Sequence, residues 1–220
     1  MALADPRSYL ADVLQVMRAH WPANRTVNVV CHGHSVPAGY FATPAVDTFS
    51  AYPHLLHREL KRRFPFAVVN VIVTAIGGEN SESGAGRFDR DVLGHRPDVI
   101  TIDYGLNDRA MGLPRAAAAW RAMIDAALAR QARVLLLTPT HDTTQVAAAP
   151  AAERDLLPRH ADLIRRLAEE HGLGLADSFQ AFAEYSAAAD LTDLLSWSNH
   201  PNRRGHELVA RQLLRWFPAA

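Results

Sequence analysis

Apolar side chains in this chain gather in short unbroken runs, and between the runs they recur every third or fourth position. Residues 27–31, 67–73, 99–104 and 134–137 are nearly continuous and rich in β-branched residues, the pattern of parallel strands covered on both faces. A weaker run at 173–177 makes a fifth strand. The intervening stretches predict helices near 49–63, 82–93, 114–131, 158–171 and 202–216, with one more near 6–20 ahead of the first strand. Leu163, Ile164 and Leu167 give one of these an apolar stripe. Pro158 belongs in its first turn, because an interior proline would break it. Strand–helix alternation predicts an open α/β sheet of about five parallel strands with right-handed crossovers. No repeat or low-complexity linker divides the chain, so residues 1–220 read as one domain, with a helical extension over 1–24.

Open parallel sheets bind their ligands beyond the carboxyl ends of the strands, so the residues just after each strand matter most. The first strand leads into Gly33-His34-Ser35, the second into Gly77-Gly78-Glu79-Asn80, the third into Gly105-Leu106-Asn107-Asp108 and the fourth into Thr140-His141-Asp142. Asn199-His200-Pro201-Asn202 precedes the last helix. Acyl transfer through serine needs a hydroxyl, a base and donors for the oxyanion, and usually an acid behind the base. Taken singly, each group has an ordinary structural reading. Ser35 and Asn107 suit helix caps, Gly77-Gly78 a tight loop, and His200 a loop held out of helix by Pro201. Their joint order after successive strands is what favours catalysis.

Composition narrows the picture. With 220 residues, 49% of them apolar, the chain can bury a substantial core. Twenty-three basic side chains balance 23 acidic ones, which leaves no electrostatic footprint for nucleic acid or for a polybasic membrane contact. Cys31 stands alone, excluding an intrachain disulfide or a zinc ribbon. No apolar run approaches membrane-spanning length, and the N-terminus shows no basic region followed by an apolar core, so a cytoplasmic protein is expected. His32 and His34 sit at alternate positions of a strand, but no third ligand stands at a recognised spacing, so neither metal nor cofactor is expected.

The joint pattern resembles the SGNH hydrolases, also called GDSL-type esterases and lipases, from Val29 to Gln212. Ser35 matches the nucleophile block, Gly78 the second block, Gly105-Leu106-Asn107-Asp108 the Gly-x-Asn-Asp block, and His200-Pro201-Asn202-Arg203-Arg204-Gly205-His206 the block around the catalytic histidine. The resemblance implies a three-layer α/β/α sandwich in flavodoxin-like order and hydrolysis of short acyl or acetyl esters through an acyl-serine intermediate. Ser35 would be the nucleophile and His200 the base. The Ser35 and Gly78 amides and the Asn107 side chain would be the oxyanion donors, with Asp108 supporting the Asn107 loop. His34, Tyr40, Phe41, Asp108, His141 and Trp197 are candidates to line the pocket around a small ester.

Two positions depart from the family pattern. His34 stands where an aspartate usually precedes the serine, and Trp197 stands three residues before His200, where the triad acid is usual. Tryptophan has no acceptor for an imidazole N–H. The readings left open are a Ser–His dyad held by a backbone carbonyl, such as that of Trp197 or Ser198, an acid reaching in from Asp193 or Asp190, or a site inactive on ordinary esters. The carbonyl-held dyad is favoured. A carbohydrate O-acetylesterase or an acyltransferase would use the same site, and a noncatalytic binding protein is the alternative outside enzymes.

Overall fold

The computed structural model describes residues 2–146 and 154–219. Helix α1 (Ala11–Arg18) precedes strand β1 (Thr26–Gly33), the short helix α2 (Ser35–Ala38) and helix α3 (Tyr52–Arg63). Strand β2 (Val68–Val73), α4 (Ser81–Asp91), β3 (Val99–Asp103), α5 (Leu113–Ala129) and β4 (Arg133–Leu137) alternate after it. Helix α6 (Leu156–His171), β5 (Gly174–Ala176), α7 (Ser178–Ser186) and α8 (Arg203–Leu214) complete the fold. The strands are all parallel, in the order β2-β1-β3-β4-β5. That is the flavodoxin-like order, with its switch point between β1 and β3.

The continuous apolar runs are explained by the two cores. Val27, Val29 and Cys31 of β1 pack with Leu14 of α1, Leu56 and Leu60 of α3, Phe182 of α7 and Leu213 of α8 on one face of the sheet. Val30 of the same strand joins Ile100, Ile102, Phe88 of α4, Trp120 of α5 and Ile164 of α6 on the other. A strand covered on both sides cannot alternate apolar with polar.

Several boundaries differ from the pattern for local reasons. A 3₁₀ turn at Thr48–Ser50, capped by Asp47, takes up the start of the 49–63 stretch, so α3 begins only at Tyr52. Pro158 occupies the third position of α6, within the first turn. The longer of two unforeseen helices, α2 being the other, is α7. It comes directly after a three-residue strand with no intervening turn signal, and Asp177 starts it by accepting the Gln180 N–H.

Candidate active site

The loops after β1, β2 and β3 lie at one edge of the sheet, and the residues before α8 join them. Gly33 ends β1 where no side chain fits, since a Cβ there would fall 2.4 Å from the Asp103 carbonyl oxygen. Ser35 opens α2 with its amide at a helix N-terminus. His34 caps that helix, its Nδ1 accepting the Val36 N–H at 3.2 Å. The imidazole thus serves as the cap at the position where an aspartate is usual, and it lies buried behind the serine, not in a pocket wall.

His200 is brought to Ser35 by a tight return of the chain. Leu195 and Pro201 form an antiparallel bridge, and the Ser196 N–H donates to the His200 carbonyl. Asn202 then caps α8 by accepting the Arg204 and Gly205 N–H groups. His200 Nε2 lies 2.9 Å from Ser35 Oγ, and its Nδ1 lies 2.7 Å from the Phe41 carbonyl oxygen. A carbonyl only accepts, so Nδ1 carries the proton and the Nε2 lone pair faces the serine hydroxyl. Burial lowers the His200 pKa below the usual histidine value, against a smaller opposite pull from the Phe41 carbonyl.

The group behind His200 is therefore a carbonyl, as favoured, but neither Trp197 nor Ser198 supplies it. Phe41 does, from the segment after the nucleophile. That segment is pinned by Tyr40 N–H to Ser35 O, Asp47 N–H to Gly39 O and a bridge between Tyr40 and Val46. Asp193 is corrected as the triad acid: its carboxylate is turned outwards and accepts the Tyr185 hydroxyl at 3.1 Å. Asp190 is likewise engaged, with Thr192. Alanine at position 193 is expected to leave the esterase rate within about twofold, an exposed interaction of this kind being worth little. A fall of a hundredfold in a steady-state assay would restore Asp193 as the acid.

In the loop after β2, Gly78 adopts φ of 82°, a left-handed conformation that glycine takes without strain, and its Cα faces open space. The Asn107 side chain donates to the Glu79 carbonyl at 2.8 Å through Nδ2, leaving that nitrogen a second N–H. Two further groups, missed in the sequence, fix this loop. Arg87 of α4 grips the Glu79 carboxylate through Nε and Nη2 and donates to the Thr74 carbonyl. Tyr104 joins the same cluster, bonded to Arg87 and to His32 Nε2. The only signal was an arginine nine residues beyond Gly78, on a helix of ordinary composition.

The remaining pocket candidates divide. Tyr40 stays at the site, its ring against the Gly77 backbone and 6.1 Å from the His200 ring. The Phe41 ring turns towards His206 while its carbonyl serves His200. Asp108 is corrected from pocket to scaffold. It is fully buried, accepts the Ser81 N–H and the Trp120 indole N–H, and is shifted above the usual carboxylate range by that burial. Each such charge-assisted bond is worth roughly 1.5–3 kcal/mol, and the two offset part of the cost of that burial. His141 is corrected as well: its ring packs on Phe179 and Phe182, and burial pushes its pKa down to about 4. Trp197 is 58% exposed, which excludes packing beneath the last loop. Among the described residues, no three side chains are grouped to hold a metal ion, and His32 is taken up by Thr74 and Tyr104.

A serine and an imidazole have thus come together from separate loops, and residues 31–208 match the GDSL-like lipase/acylhydrolase family. The chain belongs to that family. As a GDSL-type protein it is a serine carboxylic ester hydrolase. It is 26% identical, over 178 residues, to an acetylxylan esterase of Geobacillus stearothermophilus, covering 71% of this chain and 75% of that one. A crystal structure of that esterase has a TM-score of 0.75 at 22% identity, over 87% of this chain and 94% of the other. A GDSL-like lipase from Parabacteroides merdae shares the fold with a TM-score of 0.76 at 17% identity, over 87% and 95%. Solved catalytic mutants of the acetylxylan esterase replace a serine, an aspartate and a histidine by alanine, the last two three positions apart. In the present GDSL chain the residue three before His200 is Trp197. Among the described residues no helix is long and apolar enough to cross a membrane.

Proposed function

We propose that this GDSL hydrolase cleaves short acyl esters, acetyl esters of carbohydrates foremost, with a Ser35–His200 dyad whose base is held by a backbone carbonyl. The observation that carries the reading is the continuous line from the Phe41 carbonyl through His200 to Ser35 Oγ, at 2.7 and 2.9 Å. Ser35 Oγ attacks the ester carbonyl as His200 Nε2 takes the hydroxyl proton. The same nitrogen then gives that proton to the departing alcohol, and water repeats the sequence on the acyl-serine. The Ser35 and Gly78 amides and the second N–H of Asn107 hold the oxyanion.

A magnitude supports a working dyad. Losing the acid in a serine protease costs about 10⁴-fold, largely because the imidazole then adopts the wrong tautomer. The Phe41 carbonyl fixes the tautomer. What it lacks is the negative charge that steadies the imidazolium. His200 must be neutral to act, and its pKa is lowered by burial. Activity is therefore present above that pKa and lost as the pH falls through it. The acidic limb of kcat/KM is expected to lie below about 6.5, the ordinary histidine value. A limb centred above 7 in a pH–rate profile would contradict the buried base.

The acetyl preference rests on the acetylxylan esterase similarity; the flat ring of Tyr40 beside His200 suits apolar chains and sugar faces alike and does not choose between them. p-Nitrophenyl acetate is expected to be turned over faster than the butyrate and octanoate, with acetate released from acetylated xylooligosaccharides. Preference for octanoate would overturn the substrate reading and leave the dyad intact.

A further inference from the structure

The carboxylate missing behind His200 is present behind a different imidazole. His34 Nδ1 lies 3.4 Å from Ser35 Oγ, on a hydroxyl that His200 Nε2 reaches at 2.9 Å. His34 Nε2 has no hydrogen-bond partner, and 3.5 Å from it stands Asp103 Oδ1, at the end of β3. Both side chains are buried, His34 at 1% and Asp103 at 6% exposure. The Val36 N–H on Nδ1 marks that nitrogen as an acceptor, so the ring proton sits on Nε2, towards the carboxylate. Asp103, His34 and Ser35 thus repeat the order acid, imidazole, hydroxyl, at distances that are long but within what free enzymes show before substrate tightens them.

We propose that His34, oriented by Asp103, is a second proton acceptor for Ser35, weaker than His200. The inference rests on Ser35 being the nucleophile. In this route the Ser35 O–H bond breaks and the proton passes to His34 Nδ1. The oxygen's electron pair closes the Oγ–carbon bond, and the carbonyl π pair moves onto the oxygen in the oxyanion hole. The proton then leaves on the alcohol as its C–O bond breaks. Taking the proton gives up the Val36 contact, and His34 stands farther from Oγ than His200 does, which makes it the less effective acceptor. Its contribution therefore shows where His200 is absent.

The test is the rate of labelling by a fluorophosphonate, in which Oγ–P forms, fluoride leaves and the proton stays on an imidazole. His200→Ala is expected to keep a residual rate above that of Ser35→Ala. Adding His34→Asn should lower that residual rate about tenfold, a modest share of what general bases supply. Asparagine keeps an acceptor for the Val36 N–H, so the cap survives. Adding Asp103→Asn instead leaves the His34 ring in place and should act in the same direction, deciding the matter if His34→Asn alters the circular dichroism. Residual rates equal with and without His34, or a His200→Ala rate no higher than that of Ser35→Ala, overturn the proposal. Undiminished labelling of Ser35→Ala would instead overturn the nucleophile itself.

Discussion

Ser35→Ala is expected to lower kcat on p-nitrophenyl acetate by about 10⁴-fold or more while the melting temperature stays where it was. In a serine protease with a full triad, loss of the nucleophile costs about 10⁶-fold. A base held by a neutral carbonyl starts from a slower reaction, so less is available to lose. The fold should not notice the change. Ser35 is buried, yet the hydroxyl's protein partners are the two imidazoles of the site. The cap of α2 is made by His34, so alanine at the first helical position costs no capping bond. Steady-state kinetics beside a thermal melt by circular dichroism separate the two effects. Activity retained within tenfold in a folded variant would remove Ser35 from the chemistry.

The site was legible in the sequence where function needs a particular side chain at a particular place in the topology. A parallel sheet puts every strand's carboxyl end on one edge, so Ser35, Gly78 and Asn107 could be placed together once the strands were found. His200 was legible through the proline after it and the cap residue two positions on. The supports of the site were not legible. Every residue has a carbonyl, so nothing in the sequence marked that of Phe41, 159 positions from the histidine it orients. Asp193 was attractive because it is near His200 along the chain, but the bridge from Leu195 to Pro201 turns the two apart. His34 and Asp103 meet because β1 and β3 are neighbours, with Gly33 opposite Asp103 in the register. That pairing comes from the strand order, and becomes readable only after the fold is known.

Asn107→Ala is the other change with a large expected effect, a fall of about 10²–10³-fold in kcat with KM little altered. The asparagine is asked to do two things with one nitrogen. One N–H donates to the Glu79 carbonyl, tying the third loop to the residue after Gly78. In the proposed mechanism the other meets charge that exists only after Ser35 has attacked, so its loss would weaken the transition state and not the substrate complex. Alanine removes both bonds, while Arg87 keeps its hold on the Glu79 carboxylate and limits how far the Gly78 loop can drift. The loss of rate should therefore reflect chiefly the missing donor. Asn107→Asp sharpens the point: it keeps the volume, replaces the donor by an acceptor and adds a charge facing the developing oxyanion, so its kcat should fall at least as far as that of the alanine variant. Steady-state kinetics on p-nitrophenyl acetate give both parameters. A raised KM with unchanged kcat in both variants would make Asn107 a substrate-binding residue and leave the oxyanion to the two backbone amides.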